Sequence, residues 1–406
     1  MSRSRTAPFK RQAASPETVR RARDPAEDAS AGPRTSAGSS CHSIARRNGV
    51  PFSCESRTAS AAFVSRDKSA LARRAGRGPC VRVTRSGTVE SVHRVHVAVA
   101  DASGRLIGGC GDAGRVAFYR SAAKPFQALP LVEDGVLERF GFTEEELALC
   151  CASHNAEPEH LALARSMLAR AGLDERALEC GPHPSLRPER ARELWARGIR
   201  LGAVHNNCSG KHAGMLALAV ANGWPPEGYL EPGHPVQQRM RAEIARWTGV
   251  AASALVTGTD GCGVVTFALP LADMAASFAR LTAAADAGEP AAHIVAAMTG
   301  HPFAVAGTGR ICTAVMERLG GRVFVKTGAE GVYCGGVRGR GLGFALKVED
   351  GARRASDVAL VGVLSDLGVA DADDIAALAR GRVEVLNTLG VDVGRIENAF
   401  RVEMDR

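Results

Sequence analysis

The chain has 406 residues, 45% apolar and 23% charged, which supports one large or two ordinary domains with a real core and excludes fibrous, collagen-like and wholly disordered proteins. No apolar run approaches the roughly 18–20 residues of a membrane helix, so the protein is expected to be soluble. The net charge of +8 is unevenly placed: residues 1–80 hold 16 Lys and Arg against 6 Asp and Glu, leaving 35 basic and 37 acidic residues in 81–406.

Residues 1–80 contain only six Leu, Ile, Val or Met beside 13 Ser. Such a segment cannot bury enough apolar surface to offset its ordering entropy, and it is expected to be a disordered basic leader. It lacks the apolar run of a secretory signal. Its composition fits a transit peptide, an arm that binds nucleic acid by charge, or an untranslated stretch read as coding. Eleven cysteines without framework spacing argue for free thiols in a reducing compartment, with the cytoplasm as the default.

Residues 81–406 are expected to form one catalytic domain. Alternating Val95, Val97 and Val99, the turn Asp101-Ala102-Ser103-Gly104, then Leu106 and Ile107 read as a hairpin. A strand over Val116–Tyr119 runs into a helix at Ser121. Helices are expected at Glu144–Cys151, Glu157–Ala171, Pro188–Arg197, Lys211–Asn222, Val236–Thr248 and Ala285–Met298. Strands return at Arg322–Thr327, Gly331–Gly335 and Gly341–Val348, followed by a helix over Arg353–Leu367. Strands at both ends with helices between predict an α+β fold: a mixed sheet flanked by helices, with a helical lobe.

Only six of 51 basic residues are Lys. Arginine holds a surface charge equally well but cannot be deprotonated, so a site that needs a neutral amine must use Lys. Three lysines sit in motif-like contexts. Ser121-Ala122-Ala123-Lys124 puts a hydroxyl and an amine on one helical face. Lys326-Thr327-Gly328 ends a strand, with Gly permitting close backbone approach. Between them lies Ser153-His154-Asn155. The order Ser-x-x-Lys, Ser-x-Asn, Lys-Thr-Gly is the pattern of serine β-lactamases and penicillin-binding proteins, with His154 where those usually have Asp. Cys208 and Cys262 lie in polar, Gly-containing stretches where packing gives no reason for a thiol. His154, His205 and His212 read by themselves as structural.

Longer strings narrow the reading. Tyr119–Gln127, Ala152–Glu157, Asn206–His212, Thr259–Cys262 and Lys326–Gly331 together resemble the asparaginases of the Rhizobium etli type, in order from about residue 81 to the C-terminus. The resemblance implies a fold like the serine β-lactamases and glutaminases, a homodimer, and hydrolysis of L-asparagine to L-aspartate and ammonia. It implies two Ser-Lys pairs, Ser121 with Lys124 and Ser153 with Lys326, with Ser121 as nucleophile. It implies zinc at Cys208, Lys211 and Cys262, tuning substrate binding. Asp260 is expected to contact the substrate's ammonium or to orient a neighbour, and Arg120 and His154 are expected beside it as substrate contacts. Spacing alone would not assign zinc, since Cys-x-x-Lys lacks the usual His and Lys must lose a proton to ligate.

An amide is a poor electrophile, so the serine needs a base. A lysine amine serves only if its pKa falls from about 10.4 to about 7–8, and burial beside a second cationic lysine pushes that way. Lys124 is expected as base for Ser121, and Ser153 with Lys326 as a relay toward the leaving ammonia. The rivals are a glutaminase, a β-lactam hydrolase, which would need an export signal, and a nucleic-acid-binding protein, against which the near-neutral body counts.

Overall fold

The computed structural model describes residues 78–405, so the leader expected over residues 1–80 lies almost wholly outside the described residues. Twelve strands are present: β1 Cys80–Arg85, β2 Thr88–Asp101, β3 Leu106–Cys110, β4 Val116–Phe118, β5 Val256–Thr259, β6 Val265–Pro270, β7 Val323–Thr327, β8 Val332–Val337, β9 Leu342–Val348, β10 Glu384–Leu386, β11 Asp392–Ala399 and β12 Glu403–Met404. Nine of them form one sheet in the order β10-β11-β1-β2-β9-β8-β7, with β3 on β2 and β12 on β3. The mixed sheet expected from the sequence is antiparallel in each of its pairings. Strand β2 organises it. Its first half pairs with β1 (Val81 opposite His93), while its second half takes β9 (Val97 opposite Leu346) and β3 (Val97 opposite Cys110). The valine alternation and the Asp101–Gly104 turn fall as expected, the turn closed by Gly104 N–H donating to Asp101 O at 2.9 Å.

Strands β4, β6 and β5 make a second, three-stranded sheet. Helices cover the large sheet from both chain directions: Leu271–Asp286 lies across β9, β2 and β8, and Arg353–Asp366 packs on β11 and β9. The first of these contacts is backbone-close. A Cβ on Gly343 of β9 would collide with Ala279 N and Ala275 O of the helix, atoms that cannot swing aside. Gly343→Ala is therefore expected to destabilise the fold by roughly 1–3 kcal/mol or more through overpacking, read as a lower denaturant midpoint.

The helical lobe forms from Lys124–Glu133, Glu144–Cys150, Pro158–Arg170, Ser209–Ala221 and Pro235–Thr248, close to the expected boundaries. One expectation fails. The helix expected over Ala285–Met298 is two helices, Leu271–Asp286 and Ala291–Gly300. Gly288 takes a left-handed φ of 78° and Pro290 precedes the second helix, so the alanine-rich run is stopped by cap chemistry. No helix among the described residues is long and apolar enough to cross a membrane.

Candidate active site

Strand β4 ends at Phe118 and leads through Tyr119 into a short 3-10 turn, Arg120–Ala123, which continues as the helix Lys124–Glu133. Ser121 thus stands at a strand-helix junction. Gly328, just past β7, brings the second chain segment alongside: a Cβ there would lie 2.9 Å from Tyr119 O. Gly210 does the same for a third segment, since its Cβ would lie 2.5 Å from Leu149 O and the helix Ser209–Ala221 could not approach. Of four non-glycine residues with left-handed backbone among the described residues, three flank these segments: Arg120 (φ 51°), Ala156 (54°) and Glu330 (59°). Strain of this kind is sustained where the surroundings over-determine it, as at functional sites.

The segments converge on three buried lysines. Lys124, Lys211 and Lys326 are 1%, 4% and 0% exposed, which is where a lysine, rather than an arginine, has chemical meaning. Lys326 Nζ donates to Ser153 Oγ at 2.9 Å and to Thr327 O at 2.9 Å. Lys124 Nζ donates to Ala152 O, to Ser153 Oγ at 3.3 Å and to Cys208 Sγ at 3.2 Å. Both amines therefore flank the Ser153 hydroxyl. Lys124, expected as the base for Ser121, makes its hydroxyl contact with Ser153. Burial, with the neighbouring Lys124 next, lowers the Lys326 amine to about 7.

Ser121 and Ser153 share a cleft of about 160 Å³ with Asn207, Arg310, Thr327 and Arg353. His154 does not line it. Its ring is fully buried, accepts from Ala156 N–H at Nδ1 (3.1 Å), and so donates from Nε2 to Ser209 Oγ (3.0 Å). Burial holds it well below its ordinary pKa, hence neutral.

Behind Lys124 lies the cysteine cluster. Lys211 Nζ donates to Cys262 Sγ at 3.1 Å, and Cys262 Sγ is 3.9 Å from Asp260 Oδ2. The neighbouring Cys208 thiol, with Lys211 adding to it against burial, lowers Cys262 to about 5, while Cys262 and burial push Cys208, whose thiol donates to Asn207 Oδ1 at 2.9 Å, up to about 12. Burial opposes charge on Lys211, but Cys262, Cys208 and Asp260 outweigh it and raise its pKa. Arg120 Nε donates to Asp260 Oδ1 at 2.6 Å, tying the residue before Ser121 to this cluster. Burial alone would raise the Asp260 carboxyl, yet Lys211 and Arg120 hold it below its ordinary value. Among the described residues no group of three or more His, Cys, Asp or Glu is placed to hold a metal ion. The Cys208, Lys211 and Cys262 set contains two thiols and one amine.

Arg310 was not legible in advance. In a chain that uses arginine almost everywhere, nothing in the sequence marks this one.

Comparison with curated proteins finds no similar sequence. Among solved structures the chain is similar to Mglu (17% identity, covering 68% of this chain and 67% of that one, TM-score 0.31) and to Mglu in its native form (17%, 69% and 66%, 0.30). It is also similar to a β-lactamase-like protein from Bacteroides dorei (13%, 69% and 87%, 0.32). Across the Mglu structures the chain spans 55–67% of the matched chain's length. Residues 81–398, which carry every one of the site segments above, match the family model L-asparaginase II. The chain belongs to the L-asparaginase II family, a family of amidohydrolases.

Proposed function

We propose that the protein hydrolyses the side-chain amide of L-asparagine, giving L-aspartate and ammonia, by Ser-Lys nucleophilic catalysis. One observation carries the reading: Ser153 Oγ lies between two buried lysine amines, one of them lowered to about 7, in a cleft that Ser121 also lines. Ser121 Oγ attacks the amide carbon and loses its proton toward Lys124. The tetrahedral intermediate collapses as Ser153, backed by Lys326, passes a proton to the departing nitrogen. Water then hydrolyses the aspartyl ester by the same groups in reverse. The hydroxyl between two amines can take a proton from one and deliver it to the other without moving, which suits Ser153 to the relay.

A second reading makes Ser153 the nucleophile, favoured by its direct 2.9 Å bond to the low-pKa Lys326. Ammonia release from L-asparagine and L-glutamine, with ring opening of a β-lactam followed by absorbance in parallel, tests the substrate class. Turnover fastest with L-asparagine is expected, and turnover of the β-lactam alone would overturn the proposal.

The proposal includes zinc held by Cys208, Lys211 and Cys262. The donors fit: the Cys262 thiol is lowered to about 5, Cys208 neighbours it, and Lys211 donates to it at 3.1 Å, so three soft or nitrogen donors already share one small volume. Lys211 ligates only after losing the proton it shares with Cys262. Bound there, zinc would supply a fixed positive charge that tunes substrate binding beside Asp260. Purified wild type is expected to carry stoichiometric zinc by elemental analysis, and Cys262→Ala only traces. Equal zinc in both proteins would remove Cys262 from the site.

A further inference from the structure

The geometry points to Arg310 as the group that recognises the substrate's α-carboxylate, which limits the enzyme to free amino-acid amides and excludes asparagine residues inside peptides. The inference rests on the reading of the cleft as an amide-hydrolysing site.

Arg310 precedes the helix Ile311–Arg318 and is only 6% exposed. Its Nη1 donates to Ser153 O and to Asn155 Oδ1, each at 3.1 Å. Asn155 is itself fixed by donating from Nδ2 to Thr308 O at 3.0 Å, so the guanidinium is braced from two sides. It is thereby attached to the residue whose hydroxyl lies between the lysines, and it lines the same cleft.

What it lacks is an anion. Among the described residues no carboxylate is in ion-pair contact with Arg310. Asp357 acts on it only from a distance and is already engaged, accepting from Tyr333 Oη at 2.6 Å and lying 3.9 Å from Arg353 Nε. A buried charge without a partner is strongly unfavourable. Arg353, on the wall of the same cleft, adds a second positive charge. A fixed guanidinium fork with free donors is complementary to a planar carboxylate. L-asparagine seated with its α-carboxylate there keeps its side-chain amide for Ser121 and Ser153. A peptide-bound asparagine has an amide in place of that carboxylate and leaves Arg310 unpaired.

The test is calorimetric titration of the full chain with L-aspartate and with β-alanine, the same molecule without the α-carboxylate. Wild type is expected to bind L-aspartate roughly 10- to 100-fold more tightly, the range of a hydrogen-bonded charge. Arg310→Gln should lose most of that preference and Arg310→Lys recover part of it, with Arg353→Gln losing a smaller share. Wild type binding both ligands equally or neither overturns the inference, as does a folded Arg310→Gln that keeps the full preference. Should Arg310→Gln not fold, undiminished preference in both Arg310→Lys and Arg353→Gln overturns it. Ammonia release by wild type from L-asparagine is followed separately. Its absence defeats the proposed reaction while the binding comparison still decides the role of Arg310.

Discussion

Lys326→Arg is expected to lower kcat for L-asparagine by roughly 10²- to 10⁴-fold, the usual cost of losing a general acid-base group. The substitution keeps a positive charge and most of the stem, so a lysine that merely held charge would tolerate it. Lys326 is different because burial and Lys124 lower its amine to about 7, so both protonation states are populated near neutral pH. A guanidinium stays protonated at any working pH and cannot exchange a proton with Ser153. The same logic fixes a pH dependence. In acylation Lys326 supplies the proton that Ser153 passes to the departing nitrogen and must be protonated, so wild-type kcat/KM is expected to fall as pH rises along a limb centred near 7, the folded-state pKa, and that limb should be missing in Lys326→Arg. Rates from pH 5 to 9, with circular dichroism as the folding check, read both effects. A folded Lys326→Arg within tenfold of wild type would remove Lys326 from proton transfer.

Ser121→Ala is expected to be more severe still, at least about 10⁴-fold in kcat, because no covalent intermediate can form when the attacking oxygen is gone. Little stability should be lost, since the Ser121 hydroxyl faces the cleft rather than a buried partner. Ser153→Ala separates the two readings of the site. As a relay, Ser153 contributes roughly 10²- to 10⁴-fold and leaves an ester that forms on Ser121; as nucleophile, its loss removes the ester altogether.

The scarcity of lysine was the most informative feature of the sequence, and its physical content is now visible. Among the described residues Lys124, Lys211 and Lys326 are the buried amines, placed where a group that can lose its proton is worth its desolvation. Strands announced themselves by β-branched alternation, as in β2, because one face of that strand is buried and the period of two survives in the residue order. The helix Leu271–Asp286 did not. It is buried on most sides by β9, β2 and neighbouring helices. The break after it was written in Gly288 and Pro290, but the alanines on either side carry a helix propensity that hides a single cap.

The site was legible as a list of residues and not as a set of contacts. Motif order named Ser121, Lys124, Ser153 and Lys326, yet nothing in the order says that both amines turn toward Ser153, since that depends on β7 passing the turn at Arg120 closely enough for Gly328 to be required. His154 shows the reverse case. It stands in the middle of a site motif, and the structure uses its ring to hold the Ser153 segment to the start of the helix Ser209–Ala221. Arg310 depends wholly on what is absent around it, a carboxylate partner, and no linear reading conveys an absence in space.

Cleavage of the amide in the proposed reaction passes through an ester on Ser121. Acid-quenching the protein during turnover of L-asparagine, digesting it and mapping the peptides by mass tests this directly. An aspartyl adduct on the peptide carrying Ser121, absent from Ser121→Ala, is the expected result. An adduct on the peptide carrying Ser153, or wild-type ammonia release by a folded Ser121→Ala, would contradict it.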